Sequence, residues 1–285
     1  MSGWSLVYEG YDPAAERHRE ALCTLGNGYF ATRGAATDSV AGPHHYPGTY
    51  FAGVYNRLVS EVSGERIENE DLVNWTNWLV LRIRPEGEDW LSVDDAEVLD
   101  YRQELNLRDG VLHREIRLGH GDGRVTRWRE RRLVAMHNPH LAALSVEITP
   151  ENWSGMLTVC SALDGSVQNT GVDRYKNLAS HHTRCAARHQ VAGDTVQLIA
   201  RATQSRTEVA QTARTRVYKD GERIIPSTRT EERDVWIGQE LDVDVEAGVP
   251  MTVEKIVGLF TSRDRGMSEP GYSSARSVER TGRFD

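Results

Sequence analysis

The chain has 285 residues, 39% hydrophobic and 27% charged, with a net charge of −8. That length and balance suit a globular protein with a real core, built as one large all-β domain or two small ones. The acidic balance argues against a nucleic-acid binder, which relies on clustered Lys and Arg, and no run nears the ~18 apolar residues of a membrane-spanning helix.

Residues 1–12 lack the basic stretch and apolar run of a secretory signal. The three cysteines, Cys23, Cys160 and Cys185, are odd in number and form no CxxC pair, which reads as reduced thiols in the cytoplasm. Without secretion, the glycosylation-like triplets at Asn74 and Asn152 are chance matches. Asp12-Pro13 followed by AAERHREAL predicts a short helix, with Asp12 as N-cap and Pro13 at its first position.

The densest glycine cluster, residues 26–34, leads into strand-like Tyr-Phe-Ala-Thr-Arg. A phosphate loop needs Gly-Lys-Ser/Thr opening a helix, so this cluster reads as a tight turn before a strand, with Asn27 or a glycine at positive φ. From about residue 48 onward, period-2 alternation dominates. Residues 141–149 place Leu144, Val146 and Ile148 on one face. Residues 155–163 set Leu157 and Val159 against Thr158 and Cys160. Residues 251–259 align Met251, Val253, Val257 and Leu259, interrupted by Lys255. Turn signals punctuate these runs, and Arg108-Asp109-Gly110 predicts a hairpin. Roughly fourteen to eighteen strands follow from this pattern, which predicts an all-β, two-sheet antiparallel β-sandwich with little helix. The polar tail, 263–285, has no period-2 pattern and reads as a linker or the start of a helix leading out.

Candidate chemistry is sparse. His44-His45, His137 with His140, and His181-His182 with Cys185 are the His/Cys clusters, and none supplies the three or four ligands of a metal site. Glu65, Glu68, Glu70 and Asp71 form one acidic cluster, and Asp94-Asp95 with Glu97 another. Both sit among turn-like residues, where a solvated surface is the default and a catalytic pair would need a cleft. No Gly-x-Ser-x-Gly elbow is present. The stretch DLVNWTNWL, 71–79, is more suggestive, because Trp75 and Trp78 are three apart, as are Asn74 and Asn77. Sugar rings stack on aromatic faces and hydroxyls pair with amides, so these four are the candidate substrate-binding residues. The competing reading packs the tryptophans in the core or against a neighbouring domain.

Residues 20–35, EALCTLGNGYFATRGA, resemble the opening signature of glycoside hydrolase family 65, which contains maltose, trehalose and kojibiose phosphorylases and related hydrolases. Four further segments resemble that family in order and spacing: 48–56, Leu72-Val73-Asn74 with Asn77-Trp78-Leu79, 99–105 with Gly110, and Glu254-Lys255 with 261–264. The resemblance implies an N-terminal super-β-sandwich, a linker, an (α/α)6-barrel and a small C-terminal sheet domain. It further implies a barrel glutamate as general acid, and inverting attack by inorganic phosphate in the phosphorylases. On this reading residues 1–262 are the sandwich and 263–285 begin the linker towards a barrel beyond Asp285, so no catalytic residue is assigned in this chain. No cofactor or metal is expected, with inorganic phosphate the co-substrate of the parent enzyme. The expected partners are the chain's own barrel, a disaccharide bound by the parent enzyme, and a second copy in a homodimer, with no nucleic acid or membrane. The alternatives are a free-standing carbohydrate-binding module and a purely structural interaction domain.

Overall fold

The computed structural model describes residues 3–170, 178–266 and 268–284. In chain order, β1 (Ser5–Glu9) and α1 (Pro13–Leu22) precede three short strands, β2 (Leu25–Gly26), β3 (Phe30–Thr32) and β4 (Thr49–Phe51). A hairpin, β5 (Tyr55–Val62) and β6 (Glu65–Leu72), is followed by β7 (Leu81–Pro85). Then come β8 (Glu97–Asn106), β9 (Val111–Gly119), β10 (Val125–Val134), β11 (Leu141–Pro150) and β12 (Gly155–Asp164). The rest are β13 (Thr183–Ala192), β14 (Thr195–Ala202), β15 (Glu208–Lys219), β16 (Glu222–Ile224), β17 (Ser227–Arg233), β18 (Trp236–Val245), β19 (Met251–Thr261) and α2 (Pro270–Arg280).

Strand accounts for 53% of the chain and helix for 8%, so the fold is all-β as the alternation predicts. One ten-stranded antiparallel sheet runs β1-β8-β9-β10-β11-β19-β15-β14-β13, with β16 pairing β15. Facing it are a four-stranded sheet, β17-β18-β12-β7, and the three-stranded sheet β2-β3-β4. One hydrophobic core joins the layers: Leu144, Val146, Ile148, Val253, Val257 and Leu259 from the large sheet meet Ile83, Leu157, Val159, Leu241 and Phe51 from the other side. Period-2 alternation therefore sorts these strands as expected.

Local chemistry places the turns. Asn106 and Val111 close the β8–β9 hairpin, where Gly110 adopts φ +66° and the Asn106 Oδ1 accepts from the backbone N–H of Arg108 at 2.9 Å. Asp12 caps α1 by accepting from the Ala14 N–H at 3.1 Å, with Pro13 at the first helical position. Beyond Thr261 the spacing becomes helical, and α2 buries Gly271, Ser274 and Val278 against β14, β15 and β19. Ser274 Oγ donates to the Gly258 carbonyl at 2.9 Å, and Arg214 donates to the carbonyls of Val278 and Thr281 at 2.7 and 2.9 Å. Among the described residues, no helix is long and apolar enough to cross a membrane.

Candidate functional site

The segment 20–35 forms the joint between α1 and the short sheet. Glu20, buried on α1, accepts from the Tyr46 N–H at 2.9 Å and meets His45 Nδ1 at 2.9 Å. His45 Nε2 lies 3.1 Å from the Tyr11 hydroxyl and 3.4 Å from Asp94. Burial alone would lower the His45 pKa, but bonding and charge from Glu20, with Asp94 adding to them, leave it raised. The His45 ring thus sits between two carboxylates and ties α1 to two loops.

The glycine cluster is a turn, as its composition indicates. Gly28 has φ +84°, and Asn27 Oδ1 accepts from the N–H groups of Tyr29 and Phe30 at 3.1 and 3.2 Å. Asn27 Nδ2 donates to the carbonyls of Ala135 and Pro139 at 2.8 and 3.0 Å, so the whole amide is committed to the fold. Tyr29 donates to Asp264 at 2.6 Å. Arg33 donates to the carbonyls of Tyr46 and Arg17 at 2.8 and 2.6 Å. A Cβ at Gly34 would stand 2.6 Å from the Cys23 Cβ, which explains the glycine by close approach rather than by ligand binding.

The four residues singled out as sugar contacts are all buried. Asn74 Oδ1 accepts from the Thr49 N–H at 3.0 Å, and its Nδ2 donates to the carbonyls of Pro47 and Gln168 at 3.2 and 3.3 Å. Asn77 accepts from the Leu79 N–H at 3.0 Å, and its backbone bridges Asp164. Trp75 and Trp78 are 0% exposed and belong to the core, where Trp75 meets Phe51 edge-on at 6.3 Å. In this structure neither indole offers a face to a ligand, and Asn74 borders a cleft with a side chain already committed to three backbone groups.

The acidic candidates separate. Glu68 and Glu70 lie exposed on β6 and pair with Arg57, whereas Asp71 turns towards His182 at 3.2 Å. Burial lowers the His182 pKa despite Asp71. Among the described residues, no group of three or more His, Cys, Asp or Glu side chains could hold a metal.

Two buried charge centres are invisible to motif reading. Glu130 binds Arg132 at 2.5 Å and Arg114 at 3.2 Å, accepts from Thr37 at 2.8 Å, and Arg114 reaches Asp38 at 2.5 Å. Burial pushes the Glu130 carboxyl up, yet the Arg132 and Arg114 guanidiniums hold it below its ordinary value. Lys255, wholly buried, instead donates to the neutral carbonyls of Val80 and Ala162 at 3.0 and 2.8 Å, and burial lowers it to about 7. The signal available in the sequence was the interruption of an apolar face, which these residues share.

Two clefts meet at Tyr46. One, about 410 Å³, is lined by His45, Pro47, Asn74, Asp164 and Gln168. The other, about 540 Å³, lies between α1 and the β5–β6 hairpin and is lined by Arg17, Arg33, Tyr50, Asn69, Asp71 and Asn169. A larger groove of about 630 Å³ on the outer face of the ten-stranded sheet is lined by side chains such as Arg129, Glu115 and Glu147 that pair with one another.

The comparisons match this architecture. Residues 6–285 match the model of the glycosyl hydrolase family 65 N-terminal domain, and the chain belongs to that family. An uncharacterized glycosyl hydrolase of Mycobacterium tuberculosis is 42% identical over 281 residues, covering 99% of this chain and 21% of the relative. The kojibiose phosphorylase of Caldanaerobacter subterraneus is 27% identical over 265 residues, covering 92% of this chain and 33% of that enzyme. A solved structure from the human microbiome, provisionally assigned as a kojibiose phosphorylase, superposes with a TM-score of 0.80 at 16% identity. It shares the fold over 97% of this chain and 35% of its own. The chain thus spans about a fifth to a third of the length of these relatives.

Proposed function

We propose that this chain is the non-catalytic N-terminal domain of an inverting α-glucosyl disaccharide phosphorylase, with a hydrolase as the second reading. The observation that carries this is the family match over nearly the whole chain, set beside relatives named as phosphorylases of which it covers a third or less. The structure supports a scaffolding role, because Glu20, Asn27, Arg33 and Gly34 are committed to internal bonds and close packing. In this reading residues 1–262 are the supporting sandwich, and 263–285 begin the connection to an (α/α)6-barrel. Asn74, Trp75, Asn77 and Trp78 fix the loop that shapes one side of the disaccharide site. The domain supports the barrel and a homodimer, and inorganic phosphate is the co-substrate of the whole enzyme. The free thiols Cys23, Cys160 and Cys185 suit a cytoplasmic setting.

The test is a phosphorolysis assay of the 285-residue chain with trehalose, maltose or kojibiose and inorganic phosphate. The expected outcome is no release of glucose 1-phosphate above a no-protein control. Turnover that scales with protein concentration would overturn the non-catalytic reading.

A further inference from the structure

The polar tail, which the sequence presents as a departing linker, lies on the outer face of the ten-stranded sheet. α2 crosses β14, β15 and β19 so closely that a Cβ at Gly258 would stand 2.8 Å from the Ser274 carbonyl. Gln197 donates to the Gly271 carbonyl at 2.7 Å. Beyond α2 the chain stays on the sheet. The Arg283 guanidinium sits 4.0 Å over the Tyr218 ring and donates to the Gly221 carbonyl at 3.1 Å. Phe284 packs against Leu133 and a small apolar cluster, Ala135, Leu141, Ala143 and Ile256, which is separate from the main core. The Arg131 guanidinium stands 4.8 Å over its ring.

Two buried side chains under this segment depend on it. Arg214 on β15 and Glu254 on β19 are each 3% exposed, and neither forms an ion pair among the described residues. Arg214 donates to the carbonyls of Val278, Thr281 and Gly282 at 2.7, 2.9 and 2.7 Å. Glu254 Oε2 accepts from the Phe284 N–H at 2.6 Å, and its Oε1 has no partner. A guanidinium only donates and a carboxylate only accepts, so each selects the opposite main-chain group. The last carbonyls of a helix lack partners within it and favour a cation, which is what Arg214 supplies. Lifting the segment away would strand both side chains, and a buried ionisable group without a partner is costly. Sliding it by one residue would break both sets of bonds and withdraw Phe284 from its apolar cluster.

We propose that residues 278–284 are a latch. Arg214 and Glu254 hold its main chain in one register, so that α2 and the latch dock and release together as one unit, separate from the sandwich core. The chain therefore leaves the sandwich as a rigid extension of it. The inference concerns the sandwich and its own tail and needs no part of the enzymatic reading.

Hydrogen exchange of the 285-residue chain, followed by mass spectrometry, tests it in Arg214→Met, Glu254→Met and Phe284→Ala. In all three, amides of residues 272–284 should exchange about tenfold faster or more, while those of β11 and β12 keep the parent's protection, as expected of a local opening unit. Trypsin should cut after Arg280 sooner in each variant than in the parent. If either buried substitution prevents folding, Phe284→Ala decides, because it is the least buried of the three. The proposal is overturned if residues 272–278 keep the parent's protection in the variants that fold. It is equally overturned if these residues are unprotected in the parent, or if β11 and β12 lose protection to the same extent.

Discussion

Two neighbouring regions use the same kinds of polar residue in opposite ways. In the family segment and the 74–78 loop, Asn27 and Asn74 commit both amide atoms to backbone groups, Asn27 to its own turn and to the carbonyls of Ala135 and Pro139, Asn74 to segments more than twenty residues away. In the cleft between α1 and the β5–β6 hairpin, Asn69 keeps a buried acceptor without a donor and Arg17 has no acidic partner among the described residues. Polar groups satisfied inward specify the fold, because breaking them strands a buried partner. Polar groups left over are met by solvent where they are half-exposed, as Arg17 is, and stay unpaired where they are buried, as Asn69 Oδ1 and the Trp75 and Trp78 Nε1 atoms are. Residue type does not distinguish these roles; hydrogen-bond accounting does.

The sharpest way to break the comparison is at the tryptophans. If Trp78 serves the core, Trp78→Ala should cost about 3–5 kcal/mol of stability by the usual large-to-small penalty. Urea unfolding measures it. A cost near zero would return Trp78 to the surface and to direct ligand contact.

Lys255 sharpens the contrast, as a buried amine whose bonds run to neutral carbonyls while Arg17 stays half-exposed. Its amine falls from 10.5 to about 7, with burial the largest cause. Between those values the unfolded chain holds the proton and the folded chain does not. Stability therefore rises with pH from about 7 towards 10.5, by an amount on the order of a few kcal/mol, and this contribution is missing below pH 7. Lys255→Met should flatten that rise in unfolding curves measured across the interval. A rise of equal size in the variant would show that other groups cause it.

Much of this was legible in the sequence, and the exceptions have physical causes. Asp12-Pro13 and Arg108-Asp109-Gly110 act through their own local chemistry, so the α1 start and the β8–β9 hairpin could be read directly. Strands with one buried face declare themselves by alternation, whereas β2 and β16, of two and three residues, are too short to show a period. The residues from Asn74 to Val80 lie outside the regular strands and touch Thr49 and Asp164 through isolated bridges. With no period to sort inward from outward, Trp75 and Trp78 could equally have been read as sugar platforms. The cleft draws Arg17, Tyr50 and Asn69 from α1, β4 and β6, and only the folded chain brings them together.

The most direct test compares one residue from each region in a single urea-unfolding experiment, Asn74→Ala against Arg17→Ala. Asn74→Ala leaves the buried Thr49 N–H without its acceptor and should cost about 1–3 kcal/mol. Arg17→Ala removes a half-exposed guanidinium that touches the Tyr46 ring and pairs with no carboxylate among the described residues, and should cost less than about 1 kcal/mol. Equal costs, or a larger cost at Arg17, would contradict the division between polar groups the fold uses and those it leaves to solvent.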